Sequence, residues 1–387
     1  MNISILQDRG GRIEFLDGLR GLAILLVMGF HAFARYPELM PYGDEYAWFP
    51  PFQFGFLGVQ LFFLISGFVI FMTLEKTGGF VDFMLRRWLR LFPAMLICSV
   101  IVYFTFTFLM PGVREVSLRS LLPGLTFMEP KVWAKMLGSP QPILEGAFWS
   151  LYVEVRFYAF AGFLFLLFGE TAAIAGIIGM FLLASALGPL QVLFPGASFH
   201  LLEIYRGWTS SEHFGWFAAG ALYYRFFRTK SRLLLLAALL VAIPAALTTN
   251  KGVLAINFVT FCMAMLVVVF FGLAVHGKWA RPLLRSRFLL FFGYISYPLY
   301  LVHENIMVQL TLKVAQADPE IRGIALSFIP IAVVVGIGYV VAAYGEPSLT
   351  RIIRPHYSRF RRWIKIEAPT DQTLSPVPTP PAGGAAG

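Results

Sequence analysis

Charged side chains are scarce in this sequence of 387 residues. Asp, Glu, Lys and Arg together make up 13% of the chain, whereas hydrophobic residues make up 58%. An average soluble domain is about a quarter charged. Apolar runs of about twenty residues recur along the chain, and each is long enough to cross a bilayer as a helix. The composition therefore excludes an ordinary soluble domain and predicts an all-α, polytopic integral membrane protein.

Cysteine and histidine are also few, with two Cys and six His. Both cysteines, Cys98 and Cys262, lie inside apolar stretches, so the sequence offers neither a disulfide framework nor the paired spacing of a zinc site. We therefore expect no metal. An A-x-A pattern at 32–34 is similar to a signal-peptidase site. The apolar stretch before it is long and contains Asp17 and Arg20, so we interpret it as an uncleaved first span.

Ten membrane spans are predicted, at 15–35, 54–75, 89–110, 146–168, 171–190, 214–227, 233–248, 253–275, 288–312 and 324–345. With the N-terminus inside, 20 of the 31 Lys and Arg residues lie on the inner side, nine lie outside, and two lie within spans. Because cytoplasmic loops carry the excess of Lys and Arg, this bias predicts that both termini are cytoplasmic. It also accounts for the net charge of +10 without nucleic acid as a partner.

The regions outside the spans give the domain organisation. We expect a cytoplasmic N-terminus (1–13), a ten-span domain (14–350), a basic cytoplasmic segment (351–366) and a disordered tail (367–387) rich in Pro, Thr, Gly and Ala. The segment 111–145 contains five prolines and is long for a connection in a compact protein. We expect it to fold over the outer face or to re-enter it.

The first span carries a cation near its start and an imidazole near its end. Arg20 and His31 are eleven residues apart, which on an α-helix leaves them within about 20° of one another and about 16 Å apart along the axis. Ionisable groups of this kind are costly in lipid and mark functional interiors. The shared face of this helix must therefore meet a polar interior.

Other intramembrane ionisable groups are candidates to supply that interior. Glu154 lies about two turns into the fourth span, at the depth predicted for His31. We expect it to orient the imidazole and to stabilise the imidazolium, as a general base requires. The alternative is a buried polar pair that only specifies packing. His303 and Glu304 could line the same outer cavity or could form a structural hydrogen-bonded pair.

A group of arginines stands at the start of the third span. Arg87 and Arg90 share a helix face, and together with Arg86 they suit a phosphorylated ligand. Cytoplasmic flanks are basic for topological reasons as well, but Arg20 reaches the same end and favours ligand binding. Ser66, in the middle of the second span, indicates close helix contact or a polar channel lining.

Taken in order, these pieces resemble the membrane-bound acyltransferase-3 family, which includes O-antigen, exopolysaccharide and nodulation-factor acetylases. Its opening signature, with an Arg and a His, is similar to LDGLRGLAILLVMGFHA. Its second-span segment and its Arg-x-x-Arg element resemble GVQLFFLISGFVI and RRWLRLFPA. A Trp-Ser-Leu-x-x-Glu-x-x-Phe-Tyr element and a late Ser-Tyr-x-x-Tyr-x-x-His element resemble FWSLYVEVRFY and GYISYPLYLVHE. The resemblance runs from about 12 to 355 and covers nearly the whole chain.

This resemblance implies an O-acyltransferase of the bacterial inner membrane. The donor would be acetyl-CoA or another acyl-CoA in the cytoplasm, and the acceptor a hydroxyl of an extracytoplasmic glycan or glycolipid. The expected partners are membrane lipid and the glycan or lipid-linked sugar.

Site roles follow from the resemblance together with the positions of the residues. We expect the donor's phosphates to bind Arg20, Arg86, Arg87 and Arg90. His31, oriented by Glu154, would deprotonate the acceptor hydroxyl or would itself be acylated first. Lining of the substrate path is expected from Ser66, Trp149, Ser150 and His303.

Three alternatives remain open from the sequence. A transporter or flippase for a glycan precursor would explain the spans and their charges. A structural subunit of a polysaccharide export complex would explain motifs without activity. Within the enzyme hypothesis, the acceptor could instead be a small molecule such as a macrolide.

Overall fold

The apolar stretches of the sequence form long helices. The computed structural model describes residues 13–110, 116–249, 257–277 and 279–363, and within these ranges every regular element is helical, as predicted. The main helices, numbered in chain order, are α1 (Glu14–Phe33), α2 (Leu57–Leu74), α3 (Phe80–Phe104), α4 (Leu121–Thr126), α5 (Pro130–Leu137), α6 (Trp149–Ser185), α7 (His200–Thr209), α8 (Phe214–Thr229), α9 (Arg232–Leu247), α10 (Phe258–His276), α11 (Arg287–Ala317), α12 (Phe328–Val340) and α13 (Glu346–Trp363).

Several of these helices meet the length and composition of a membrane span. Six helical segments of the described residues are long and apolar enough to cross a membrane: Glu14–Phe33, Leu57–Leu74, Phe80–Leu109, Gly146–Leu193, Phe258–His276 and Gly323–Arg361. Each of the ten predicted spans overlaps a helix. The count of ten crossings and the cytoplasmic position of both termini remain predictions. The predicted N-terminal segment, except its last residue, and the predicted disordered tail lie outside the described residues.

Helix α6 consists of two helices joined at Gly169. The backbone there has φ 81° and ψ 177°, a region that is essentially restricted to glycine. The chain turns back on itself, because Gly176 lies against the side chain of Leu164, whereas twelve residues of a straight helix would separate them by about 18 Å. The predicted spans 146–168 and 171–190 therefore form one hairpin.

Helix α2 runs antiparallel to α1. Gly58, at the start of α2, packs against Ala23 in the middle of α1. At the other end of the pair, Phe68 of α2 and Phe15 of α1 both contact the ring of Phe227. Positions further along α2 therefore lie closer to the start of α1.

Helix α11 runs parallel to α1 on another side of it. Gly293 packs against the backbone of Asp17, and His303 contacts His31. We call the end of the bundle at which α1 begins the basic end, and the end at which His31 lies the histidine end.

In its described part, from residue 116 on, the proline-rich segment between α3 and α6 re-enters the bundle, which is one of the two arrangements expected from the sequence. Gly124 of α4 packs against Met95 and Ser99 of α3 and against Phe148. Ser99 lies ten residues before Leu109, the last residue of the π-helical turn that extends α3, which corresponds to about 15 Å along a helix. The segment thus fills space inside the bundle.

The crossing of α2 and α8 depends on the absence of a side chain at Gly67. We expect Gly67→Ala to destabilise the fold, because its Cβ would lie 2.0 Å from the carbonyl oxygen of Phe217. Overpacking costs about 1–3 kcal/mol, which exceeds the roughly 1 kcal/mol that Ala gains over Gly within a helix. Thermal unfolding in detergent should show a lower midpoint. At the exposed Gly336 a Cβ meets nothing within 4 Å, so Gly336→Ala is the control, and equal midpoints for both variants would contradict this packing.

Candidate functional site

Two histidines face each other at the histidine end. His31 Nδ1 lies 2.9 Å from the carbonyl oxygen of Val27 and 3.2 Å from His303 Nε2. His303 Nδ1 lies 2.9 Å from the carbonyl oxygen of Tyr300. The two rings are nearly perpendicular, with their centroids 4.9 Å apart. One residue of α1 and one of α11 thus form a hydrogen-bonded pair.

These contacts assign a tautomer to each neutral ring. A ring nitrogen that faces a carbonyl oxygen carries the proton, so both histidines are protonated at Nδ1. The Nδ1–H group of His31 is shared between Val27 and the unprotonated Nε2 of His303. The lone pair of His31 Nε2 is left available, which is the state that a general base needs.

The carboxylate beside that lone pair is Glu304. Its Oε1 lies 3.7 Å from His31 Nε2 and accepts a hydrogen bond from the Tyr36 hydroxyl. Burial, together with the charge of Glu304, raises the pKa of Tyr36, so this hydroxyl keeps its proton and donates it. The side chains of His31 and Glu304 are 13% and 9% exposed. A proton gained by His31 would therefore sit beside a poorly hydrated negative charge, which favours the imidazolium.

The turn before α6 packs directly against the Glu304 carboxylate. A Cβ at Gly146 would lie 2.7 Å from one oxygen of Glu304 and 2.8 Å from the other. The buried Glu145 accepts a hydrogen bond from the backbone N–H of Asn305, at 3.3 Å. Glu304 can approach this turn closely because position 146 has no side chain.

The structure does not pair Glu154 with His31, so that expectation from the sequence was wrong. Glu154 Oε1 instead accepts hydrogen bonds from the hydroxyls of Ser66 and Tyr158, both at 2.6 Å. Ser66 lies eight residues, or about 12 Å, further along α2 than Gly58, in the direction of the basic end. Glu154 therefore lies much deeper in the bundle than His31.

The cause of this error is the position at which α6 begins. Trp149, its first residue, already packs against Phe63 of α2 and against His213, which had received no role from the sequence. The count from the sequence assumed that this helix started at the membrane surface. The re-entrant segment leads to the turn at 145–146, which meets Glu304 and Asn305 at the histidine end, and α6 starts only after this turn.

Arg87 is the best-defined cation of the basic end. It donates a hydrogen bond to Thr73 Oγ1 at 2.7 Å, and its guanidinium carbon lies 6.0 Å from the centre of the Tyr158 ring. It is within electrostatic range of Glu154 and Arg20. A hydroxyl and an aromatic ring thus hold its planar group in one orientation.

Arg20 and Arg90 complete the cluster, as the sequence predicted. Both act electrostatically on Arg87. Arg20 also pairs with Asp17, one turn earlier, at 3.0 Å, and Arg90 is exposed. In the described residues, no three His, Cys, Asp or Glu side chains converge as metal ligands.

Arg86 lies in a different cluster, because consecutive helix residues point about 100° apart. It pairs with the buried Asp82 at 2.7 Å. The same carboxylate pairs with Arg361 at 2.8 Å and accepts a hydrogen bond from Tyr357 at 3.2 Å. Asp82 therefore anchors α13, and the expected grouping of Arg86 with the phosphate-binding arginines is not seen.

Ser150 and Tyr300 connect the two ends of the bundle. Their hydroxyls are 2.8 Å apart, and the Tyr300 ring lies 5.4 Å from the His303 ring. Ser150 precedes Glu154 by one helical turn. Polar side chains therefore run in succession from Arg87 to the histidine pair, and we call this succession the polar path; its members are Arg87, Glu154, Ser66, Tyr158, Ser150, Tyr300, His303, His31 and Glu304.

Sequence reasoning assigned no role to several members of this site. Tyr158 follows Glu154 at the i+4 position and Tyr300 precedes His303 by one turn, so helical spacing could have drawn attention to both. Tyr36 and Gly146 carry no such signal. Their partner Glu304 is distant in the sequence, and only the tertiary fold brings the three together.

An ion-pair network ties the re-entrant segment to α6. Arg156 Nη1 lies 2.5 Å from Glu129 Oε1 and donates to Ser210 Oγ at 2.6 Å. Lys131 lies 2.5 Å from the other oxygen of Glu129. Arg156 is thus the counter-ion of Glu129.

Comparisons with known proteins agree on one family. The acyltransferase 3 family, described as an acyltransferase domain, matches residues 13–345. The chain is 36% identical over 92 residues to an O-acetyl transferase of Shigella phage Sf6, covering 23% of this chain and 26% of that protein. It is 31% identical over 202 residues to the putative peptidoglycan O-acetyltransferase YrhL of Bacillus subtilis, covering 48% and 29%.

A third relative is the peptidoglycan O-acetyltransferase OatA of Listeria monocytogenes. It is 28% identical over 160 residues, covering 38% of this chain and 23% of that protein. The chain therefore spans less than a third of the length of each of these relatives. No solved structure matches it.

We expect Arg156→Ala to loosen the re-entrant segment, because it removes a main counter-charge of Glu129. The free energy of unfolding should fall by about 2 kcal/mol, less than for a fully buried pair, since both side chains are 18% exposed. Limited proteolysis should cut residues 121–137 faster than in the wild type. Arg119→Ala, at an exposed position of the same segment, serves as the control, and equal cleavage rates in the two variants would refute the anchoring role.

Proposed function

This chain belongs to the acyltransferase 3 family, and from that premise we propose that it moves an acetyl or other acyl group from acyl-CoA, bound at the basic end, to a hydroxyl of a glycan or glycolipid at the histidine end. The polar path from Arg87 to the histidine pair carries this proposal. Three relatives are named O-acetyltransferases, and the names of two of them specify peptidoglycan. These names support acetyl as the transferred group and a glycan as the acceptor.

The basic end has the chemistry of a site for the donor's phosphates. Arg20, Arg87 and Arg90 lie close together, and guanidinium groups bind phosphate oxygens through paired N–H donors. The excess of Lys and Arg in predicted cytoplasmic segments supports a cytoplasmic basic end in the inner membrane. Acyl-CoA would then enter from the cytoplasm, and the acceptor would approach from outside.

The histidine end has the chemistry of a general base. His31 Nε2 takes the proton of the acceptor hydroxyl while the acceptor oxygen attacks the thioester carbonyl carbon. The carbon–sulfur bond breaks, and the CoA thiolate leaves and takes the proton from the imidazolium. Glu304 stabilises that imidazolium, and His303 holds the tautomer. In the alternative route His31 attacks first and carries the acyl group to the acceptor.

Base-labile acetate on cell-surface glycans is the direct readout of this proposal. Cells with the wild-type chain should release it under mild alkali, and cells with His31→Ala at equal protein level should not, because loss of a general base costs about 10²–10⁴ in rate. His200→Ala, at the exposed first residue of α7, is the matched control.

A second measurement separates the alternatives. Membrane vesicles given radiolabelled acetyl-CoA should release free thiol together with labelled glycan. Uptake of a glycan precursor without thiol release would favour a transporter and overturn the proposal. Label bound to the purified wild-type chain without acceptor, and absent from His31→Ala, would select the covalent route.

Gly146→Ala tests the role of Glu304 without altering a polar group. Its Cβ would push the carboxylate, the far end of a flexible side chain, away from His31. We expect kcat to fall by less than the roughly 10²–10⁴-fold that loss of the general base itself costs, with an unchanged midpoint of thermal unfolding. A Cβ at Gly179 meets nothing within 4 Å, so Gly179→Ala is the control. Full activity of Gly146→Ala would show that Glu304 need not lie beside His31.

A further inference from the structure

Glu154 is a carboxylate inside the bundle. One of its oxygens accepts two hydrogen bonds, and the other accepts none from the described residues. Ser66 and Tyr158 both donate to Oε1. In the described part of the chain, no hydrogen bond reaches Oε2. The residue is only partly buried, although its carboxylate lies between side chains of two helices. This arrangement fixes the direction of the carboxylate and leaves one strong acceptor open.

Glu154 lies along the polar path between the histidine pair and Arg87, and this position determines which part of a bound donor it can contact. It lies one turn beyond Ser150, which contacts Tyr300, and Tyr300 lies three residues before His303. These steps add up to about 10 Å along the helix axes between Glu154 and the histidine pair. Arg87, on the other side, is within electrostatic range of Glu154.

A carboxylate at this point discriminates between the parts of the donor. It repels phosphate, so the phosphates of acyl-CoA stop at Arg20, Arg87 and Arg90. It accepts N–H groups, since an ionised carboxylate is acceptor-only. An amide N–H that enters an apolar interior without a partner loses its hydrogen bonds to water and gains none in return. Any arm with amides that crosses this bundle therefore needs such an acceptor.

The pantetheine arm of CoA has two amides between its phosphates and its sulfur. An extended chain spans about 3.5 Å per residue, so the amide further from the sulfur lies roughly 7–10 Å from it. This length is close to the separation between Glu154 and the histidine pair. With that amide at Glu154, the thioester reaches His31 and the phosphates reach the arginines.

We infer that Glu154, held by Ser66 and Tyr158, binds the pantetheine amide further from the sulfur and so sets how far the donor enters the polar path. The inference rests on the proposed function, because it assumes an acyl-CoA donor. It gives Glu154 a positioning role in donor binding in place of the role beside His31 that the sequence suggested.

An ester-for-amide exchange in the donor tests this contact. S-acetylpantetheine is compared with the analogue in which an ester oxygen replaces the N–H of that amide. The wild type should prefer the amide about tenfold to hundredfold in kcat/KM, the range for a hydrogen bond to a charged group. In Glu154→Gln, Ser66 and Tyr158 hold the amide oxygen, and the NH₂ group faces the donor. This variant should lose or reverse the preference.

Each outcome of this experiment has a distinct meaning. Equal kcat/KM for both donors in the wild type, or the same preference in Glu154→Gln, would overturn the inference while leaving the acyltransferase proposal intact. No acetyl transfer from any thioester by the wild type would instead overturn the proposed function. If Glu154→Gln fails to fold, the ratio of inhibition constants of pantetheine and its ester analogue on the wild type decides the question. Arg87→Met is the contrast, and it should lower kcat/KM for acetyl-CoA more than kcat/KM for S-acetylpantetheine.

Discussion

An ionisable side chain among apolar helices must find a partner, and this constraint determines how the bundle is arranged. The penalty for leaving such a group alone is several kcal/mol. Arg20 meets Asp17 within its own helix. Arg87 and Arg156 reach partners on other segments of the chain, Arg87 at Thr73 and Arg156 at Glu129. The cross-helix partners fix the relative depth of the helices, because a helix cannot slide without breaking them.

Close glycine contacts make these partnerships possible. Gly293 and Gly67 let α11 meet α1 and α2 meet α8 with their backbones in contact, and this brings the short polar side chains of neighbouring helices within hydrogen-bond distance. Lipid offers no hydrophobic gain for pairing two apolar helices, so shape and hydrogen bonds must hold them. The same glycines therefore account for both the packing of the bundle and the continuity of the polar path.

The sequence predicted the helices well because each depends on a local apolar run. It also predicted that Arg20 and His31 share one face, since helical spacing alone decides that. It failed for Glu154 because the depth of a residue in α6 depends on the re-entrant segment, whose position is a tertiary property. Glu304 was recognised only as one of two candidates for the outer cavity. Its selection depends on Gly146 and Tyr36, which no local pattern connects to it.

The two carboxylates of the polar path have separate tasks because their surroundings differ. Glu304 lies beside a ring whose lone pair is free, so its charge acts when that ring gains a proton. Glu154 has no imidazole partner in the described residues, and its charge lies near Arg87. A single carboxylate could not do both, since the two positions are about 10 Å apart along the helix axes. In the proposed reaction, this separation lets one end of the bundle select a polyanionic donor while the other stabilises a transient cation, and the neutral Ser150–Tyr300 pair lies between these opposite electrostatic demands.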